Sequence, residues 1–119
     1  TSVSRGLGDV YKRQVDALLM SSYQLGAPGA IAAILTAAPG PSVKLWNAVQ
    51  NENWDVALDL HQKLMPLWDA IGLDNMPSLC KYAQKLQGLN AGYARKPTSP
   101  ATKTQKEKVE IALKGLGLI

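Results

Sequence analysis

From Ala57 onward the apolar positions fall on one side of a helix. Ala57, Leu60, Leu64, Leu67, Trp68 and Ile71 follow the i, i+3, i+4 spacing that puts side chains on a single face. Asn53 is placed to cap this helix. Pro66 inside it removes one backbone donor and should bend it, at about 3 kcal/mol if nothing compensates. Pro39-Gly40-Pro41 predicts an earlier helix running to about Asn51, with Val43, Trp46 and Val49 on one face. Pro77 suits the first turn of a further helix that ends before Gly88. Residues 89–101 read as a Pro-rich loop. Thr104-Gln105-Lys106-Glu107 has the form of a capping box, opening a last helix through Val109, Ile111, Ala112 and Leu113 to Gly115.

The part before Pro39 reads differently. Asp16 can cap a helix to about Leu25, with Gly26 just past its end. Gly26-Ala27-Pro28-Gly29 then turns the chain. Residues 30–35 are apolar without alternation, which suits either a strand buried on both faces or a buried helix. Their short length and Gly/Pro bounds favour the strand. The expected order is therefore one helix, one buried parallel strand at about 30–35, then four helices. A lone parallel strand needs hydrogen-bonding neighbours on both sides. The pattern thus expects chain beyond what is here.

Residues 1–14 have no apolar period of either kind. They lack the apolar core of a secretion signal, and their Gly residues and few cations do not suit a transit peptide. A basic arm with three charges is a weak footprint for nucleic acid. Back-translated, Ser4 to Gln14 matches one frame of the adapter that transposon-based library kits join to DNA fragments, mosaic end included. The expectation is that 1–14 is a translated adapter scar, to be set aside from fold reasoning.

Charge changes the picture little. Of the formal charge of +4, Arg5, Lys12, Arg13 and Asp9 supply half, so nucleic acid is not implied. One cysteine, Cys80, excludes a disulfide scaffold and fits a reducing cytoplasm. No apolar run is long enough for a membrane span. His61 stands alone at the edge of an apolar face, with no local nucleophile or carboxylate to work with. Lys81 could lower the Cys80 thiol's pKa, but the helical spacing with Leu79, Tyr82 and Leu86 favours a buried inert thiol. The turn at 26–29 follows a helix, the reverse of a phosphate loop's order. Trp46, Trp54 and Trp68 read as core or interface anchors, and Lys103, Lys106 and Lys108 as a solvated face. No metal-ligand cluster and no catalytic constellation emerge from 15–119.

The order of these signals resembles the C-terminal part of the dihydrodipicolinate synthase and N-acetylneuraminate lyase family. Leu25-Gly26-Ala27-Pro28-Gly29-Ala30-Ile31 is similar to the family's L-G-x-x-G-x-I-S. Lys63-Leu64-Met65-Pro66-Leu67 resembles its L-x-P-L helix. Asn75 to Gly88, with Pro77, Lys81 and Ala83, resembles N-x-P-x-x-K-x-A…G. Arg95-Lys96-Pro97-Thr98-Ser99-Pro100 resembles R-x-P-x-x-P, and Lys114-Gly115-Leu116-Gly117-Leu118 the usual ending. Ala32 and Thr36 depart from the Ser and Asn common in that family, which leaves the subgroup open.

The resemblance implies a (β/α)8 TIM-barrel parent of the class I aldolase type. Residues 15–51 would end the barrel as its seventh helix, eighth strand and eighth helix, and 52–119 would be appended helices. A full barrel takes about 250 residues, so 119 cannot close one. A Schiff-base Lys and a proton-relaying Tyr, acting on pyruvate or a related 2-oxo acid without a cofactor, would lie upstream. Ile31 matches a residue of the substrate-pocket wall, and Ala33, two residues on along a strand, would share its face. The resemblance further implies a homo-oligomer, dimer or tetramer, with no nucleic-acid or membrane partner. The alternative reading is a small helical protein-interaction module without enzymatic activity.

Overall fold

The helices follow the polar pattern closely; the predicted strand does not form. A computed structural model describes residues 16–72 and 74–119. The leader at 1–14 lies outside the described residues. Asp16–Leu18 form a 3-10 turn that continues into α1 (Leu19–Gln24). Then come α2 (Ala33–Ala37), α3 (Pro39–Gln50), α4 (Trp54–Ile71), α5 (Met76–Leu86) and α6 (Lys103–Gly115). Asp16 thus sits within the opening turn, not ahead of it as a cap.

The expected strand at 30–35 is corrected to an extended stretch leading into α2. A strand exists only as part of a ladder, and the described residues contain no other strand to pair with. The chain closes bonds locally instead, from Leu35 N–H to the Ala32 carbonyl and from Ala38 N–H to that of Ile34. Residues 30–35 in this conformation need no sheet neighbours.

Helix ends account for much of the topology. After α1, Ala27 N–H reaches the Ser22 carbonyl and Gly26 N–H that of Tyr23, with Gly26 at φ +94°. This is the double bond of a Schellman ending, and it needs a left-handed residue that Gly supplies without steric cost. Gly88 and Gly117 end α5 and α6 with the same pair of bonds. Glu52 takes that place after α3 at φ +55°, a conformation that costs a residue with a Cβ.

The capping box is real but starts at Thr102. Gln105 N–H donates to Thr102 Oγ1 (3.3 Å) and Thr102 N–H donates to Gln105 Oε1 (2.9 Å). Thr-x-x-Gln at 102–105 and Thr-x-x-Glu at 104–107 both satisfy the motif. A tertiary contact favours the first, because Asn75 Nδ2 also donates to Gln105 Oε1, at 3.4 Å.

α4 is the centre of the packing, meeting α1, α3, α5 and α6. Its Ala57, Leu64, Leu67 and Ile71 are buried, and Leu60 and Trp68 pack at the rim, as the spacing predicted. Pro66 faces outward with Gln62, so the carbonyl left without a donor can be hydrated and the helix runs through. α4 ends where Gly72 passes under Trp68. A Cβ there would lie 2.9 Å from the indole Cε2.

On α3 the buried face is Pro41, Ser42, Leu45, Ala48 and Val49; of the expected Val43, Trp46 and Val49, Val49 is buried, Trp46 packs at the rim and Val43 faces out. Val43 is 59% exposed. Ser42 is tolerated inside because its hydroxyl donates to the Ala38 carbonyl at 2.7 Å. Ile111 is likewise exposed on α6, where Val109, Ala112 and Leu113 form the core face.

Candidate functional site

α5 joins the two parts of the molecule that carry the candidate residues. One of its sides faces the 33–38 segment. Cys80 Sγ approaches the Ala33 carbonyl at 3.9 Å, a weak donor contact. Gln84 Nε2 donates to the Thr36 carbonyl (3.4 Å). Gln87, at the end of the helix, donates to the Ala37 carbonyl (2.6 Å) and to Ala83 (3.0 Å). These contacts hold α2 in place across about fifty residues of sequence.

The residues expected on the pocket wall lie at the start of this held segment. Ile31 is on the extended stretch and is 61% exposed. Ala33 opens α2, is half-buried, and packs at the edge of the core. With no strand, the two are not related by the two-residue period that would have put them on one face. Ile34, Ala37 and Ala38 are the buried members of the segment.

The opposite side of α5 anchors the loop at 89–101. Asn75, in left-handed backbone at φ 68°, donates from Nδ2 to the Pro100 carbonyl at 3.0 Å. Ser78 Oγ donates to the Ser99 carbonyl (2.6 Å) and Lys81 Nζ to that of Ala91 (2.9 Å). Tyr82 donates its hydroxyl to Glu110 of α6, and Lys106 Nζ stands 5.3 Å from the centre of the Tyr82 ring. Ionising Tyr82 would set a phenolate against that carboxylate. The bond to Glu110, with burial and charge repulsion behind it, pushes the phenol up to about 12.

Several residues singled out in the sequence fall apart from one another. His61 is on α4, half-exposed, and Cys80 is buried on α5. Lys81 donates one bond from Nζ to the Ala91 carbonyl. Trp54 is 44% exposed, while Trp46 and Trp68 pack against the core. Among the described residues, no group of three His, Cys, Asp or Glu is arranged to hold a metal, and no helix is long and apolar enough to cross a membrane. The Gln84 and Gln87 clamp was not read from the sequence. Exposed-looking glutamines at a helix end carry no signal for carbonyls fifty positions away.

The chain matches the Dihydrodipicolinate synthetase family over residues 9–116. It belongs to that family. It is 33% identical over 104 residues to the 4-hydroxy-tetrahydrodipicolinate synthase of Archaeoglobus fulgidus, covering 87% of this chain and 36% of that protein. The enzyme of the same name from Parvibaculum lavamentivorans is 32% identical over the same length, with the same coverage. A crystal structure of a dihydrodipicolinate synthase superposes with a TM-score of 0.75 at 31% identity, covering 87% of this chain and 36% of that one. The dihydrodipicolinate synthase from Oceanobacillus iheyensis gives 0.76 at 23% identity, a likeness of fold. The chain spans about a third of the length of the curated relatives it matches.

Within this family member, the N-x-P-x-x-K and R-x-P-x-x-P stretches now have a structural reason. Asn75 and Lys81 are the hands that hold the loop carrying Arg95 to Pro100. The two motifs are one clasp seen from its two ends.

Proposed function

We propose that this chain is the C-terminal part of a Schiff-base-forming lyase or aldolase acting on pyruvate or a related 2-oxo acid, catalytically incomplete as given. One observation carries the reading. The family match takes in nearly all of the chain, whereas the relatives extend to almost three times the matched length. In the (β/α)8 parent, the amine of an upstream Lys condenses with the 2-oxo carbon and releases water, giving an iminium that acts as electron sink. An upstream Tyr moves the proton. Ile31 and Ala33 contribute to the wall of the substrate pocket, and the α5 clamp fixes the backbone that bears them. Residues 15–51 belong to the barrel and 52–119 to the appended helices. The parent is a cytoplasmic homo-oligomer.

The test is borohydride reduction in the presence of pyruvate, read by intact-mass spectrometry. The 119-residue chain should gain no adduct. A version extended upstream from the encoding DNA should gain one, on a single Lys. An adduct on the short chain would overturn the assignment of the nucleophile to the upstream part. Reading the DNA across the Gln14–Val15 junction tests the adapter: an upstream frame with a strand-ending Lys and a Tyr supports it. A native reading of Ser4 to Gln14 after a start codon would return the small helical interaction module as the working reading.

A further inference from the structure

The clasp on α5 encloses a cavity of about 190 Å³. Its walls are α5 with Ser78, Lys81, Tyr82 and Lys85, the 92–101 part of the loop with Tyr93, and Lys106 of α6. Three lysines converge on it, and no acidic side chain lines it. Glu110 lies behind Tyr82 and is engaged by the Tyr82 hydroxyl.

The lysines are placed in ways that folding alone does not reward. Lys81 and Lys85 are one helical turn apart, a like-charge spacing that opposes the helix. Lys106 is brought toward them over the Tyr82 ring. Among the described residues none of the three makes an ion pair, whereas Lys63 on the outer face of α4 pairs with Asp59 at 2.9 Å. Lys81 is half-buried and fixed by one bond to the Ala91 carbonyl, which leaves two of its three ammonium donors for another acceptor. A concave site with positive charge on two walls concentrates anions.

We propose that this cavity binds a small phosphate-bearing anion. Lysine ammonium groups bind phosphate oxygens as compact point charges, and three on one cavity favour an anion of several charges. The volume lies below the range of drug-sized ligands, about 300–1,000 Å³, and suits a diphosphate-sized group. The site lies on the clasp, apart from the pocket-wall segment, and does not depend on the catalytic reading.

Isothermal titration of the 119-residue chain with pyrophosphate tests the proposal. One site per chain should saturate. The pair Lys85→Gln with Lys106→Gln should weaken binding about tenfold or more. The pair Lys103→Gln with Lys108→Gln removes the same charge from exposed positions of α6 outside the cavity. It should leave affinity within about twofold. Lys106→Arg keeps the charge and should retain binding, with circular dichroism confirming the helix content of each variant. No saturable heat with pyrophosphate overturns the proposal, as do equal losses from the two pairs. Malonate binding as tightly as pyrophosphate overturns the phosphate assignment. Should the short chain lack helical structure, the same titrations apply to the upstream-extended chain. A pyruvate adduct on the short chain would sink the catalytic reading and leave these titrations unaffected.

Discussion

Residues 54–71 and residues 27–38 are both rich in apolar side chains, yet the first is helical throughout and the second passes from extended backbone into five residues of helix. α4 carries its order within itself. Its backbone bonds run four residues back, its stripe repeats with the helical period, and even Pro66 fits by facing water. The 27–38 segment has no such internal rule. Its position rests on the Schellman ending before it, the bonds from Gln84 and Gln87, and the burial of one large side chain, Ile34, with the small Ala27, Ala37 and Ala38. A locally encoded element survives removal of its neighbours better than one that borrows its partners.

The largest test of this contrast is in the core of α4. Leu67→Ala should lower stability by about 2–5 kcal/mol in urea denaturation, because Leu67 is fully buried. A loss under about 1 kcal/mol would mean α4 is not the centre of the packing.

Within the weaker region, two isoleucines three positions apart should behave oppositely. Ile34→Ala should cost about 2 kcal/mol or more, whereas Ile31→Ala should stay within about 0.5 kcal/mol. Equal losses would restore a strand buried on both faces. The same comparison in an upstream-extended chain would show whether barrel neighbours convert the segment to that strand.

A smaller effect separates the two frames of the capping box. Thr102→Ala should cost about 1 kcal/mol, with Thr104→Ala nearer to neutral at about 0.3 kcal/mol. The reverse order would move the start of α6 by two residues and loosen the Asn75–Gln105 contact.

The smallest effect is read by pH. The Tyr82 phenol sits at about 12 in the folded chain against 10.0 ordinarily, so the folded state holds its proton more tightly. Its contribution is fully present below pH 10 and is lost as pH rises from there toward 12. Phenolate absorbance at alkaline pH should show Tyr82 titrating late, beside Tyr23, whose phenol is also pushed up by burial. Glu110→Gln should bring Tyr82 back toward 10, by weakening the hydrogen bond that holds the phenol's proton and by removing the charge that repels the phenolate.

Four of the helices were legible because each is announced by residues that act over three or four positions. Pro39 and Pro77 begin two of them, Gly88 closes one, and the capping box of the last was read two residues late, at Thr104. The face of α3 was misjudged because Val43 is apolar but Ser42 can be buried once its hydroxyl bonds to Ala38. Ile31 was proposed for the pocket wall only through family likeness, and Ala33 through a strand spacing that this structure does not contain.

The sequence by itself determined α3 to α6, the glycine turn after α5 and the family. Helical bonds, caps and left-handed glycines are short-range, so a single chain spells them out. Only the tertiary structure decided which Thr caps α6, which face of α3 is buried, and that N-x-P-x-x-K and R-x-P-x-x-P form one clasp. It also decided that residues 30–35 are not a strand. Each of these depends on groups brought together from distant positions, and a ladder, a clasp or a buried face has no meaning until both sides are present.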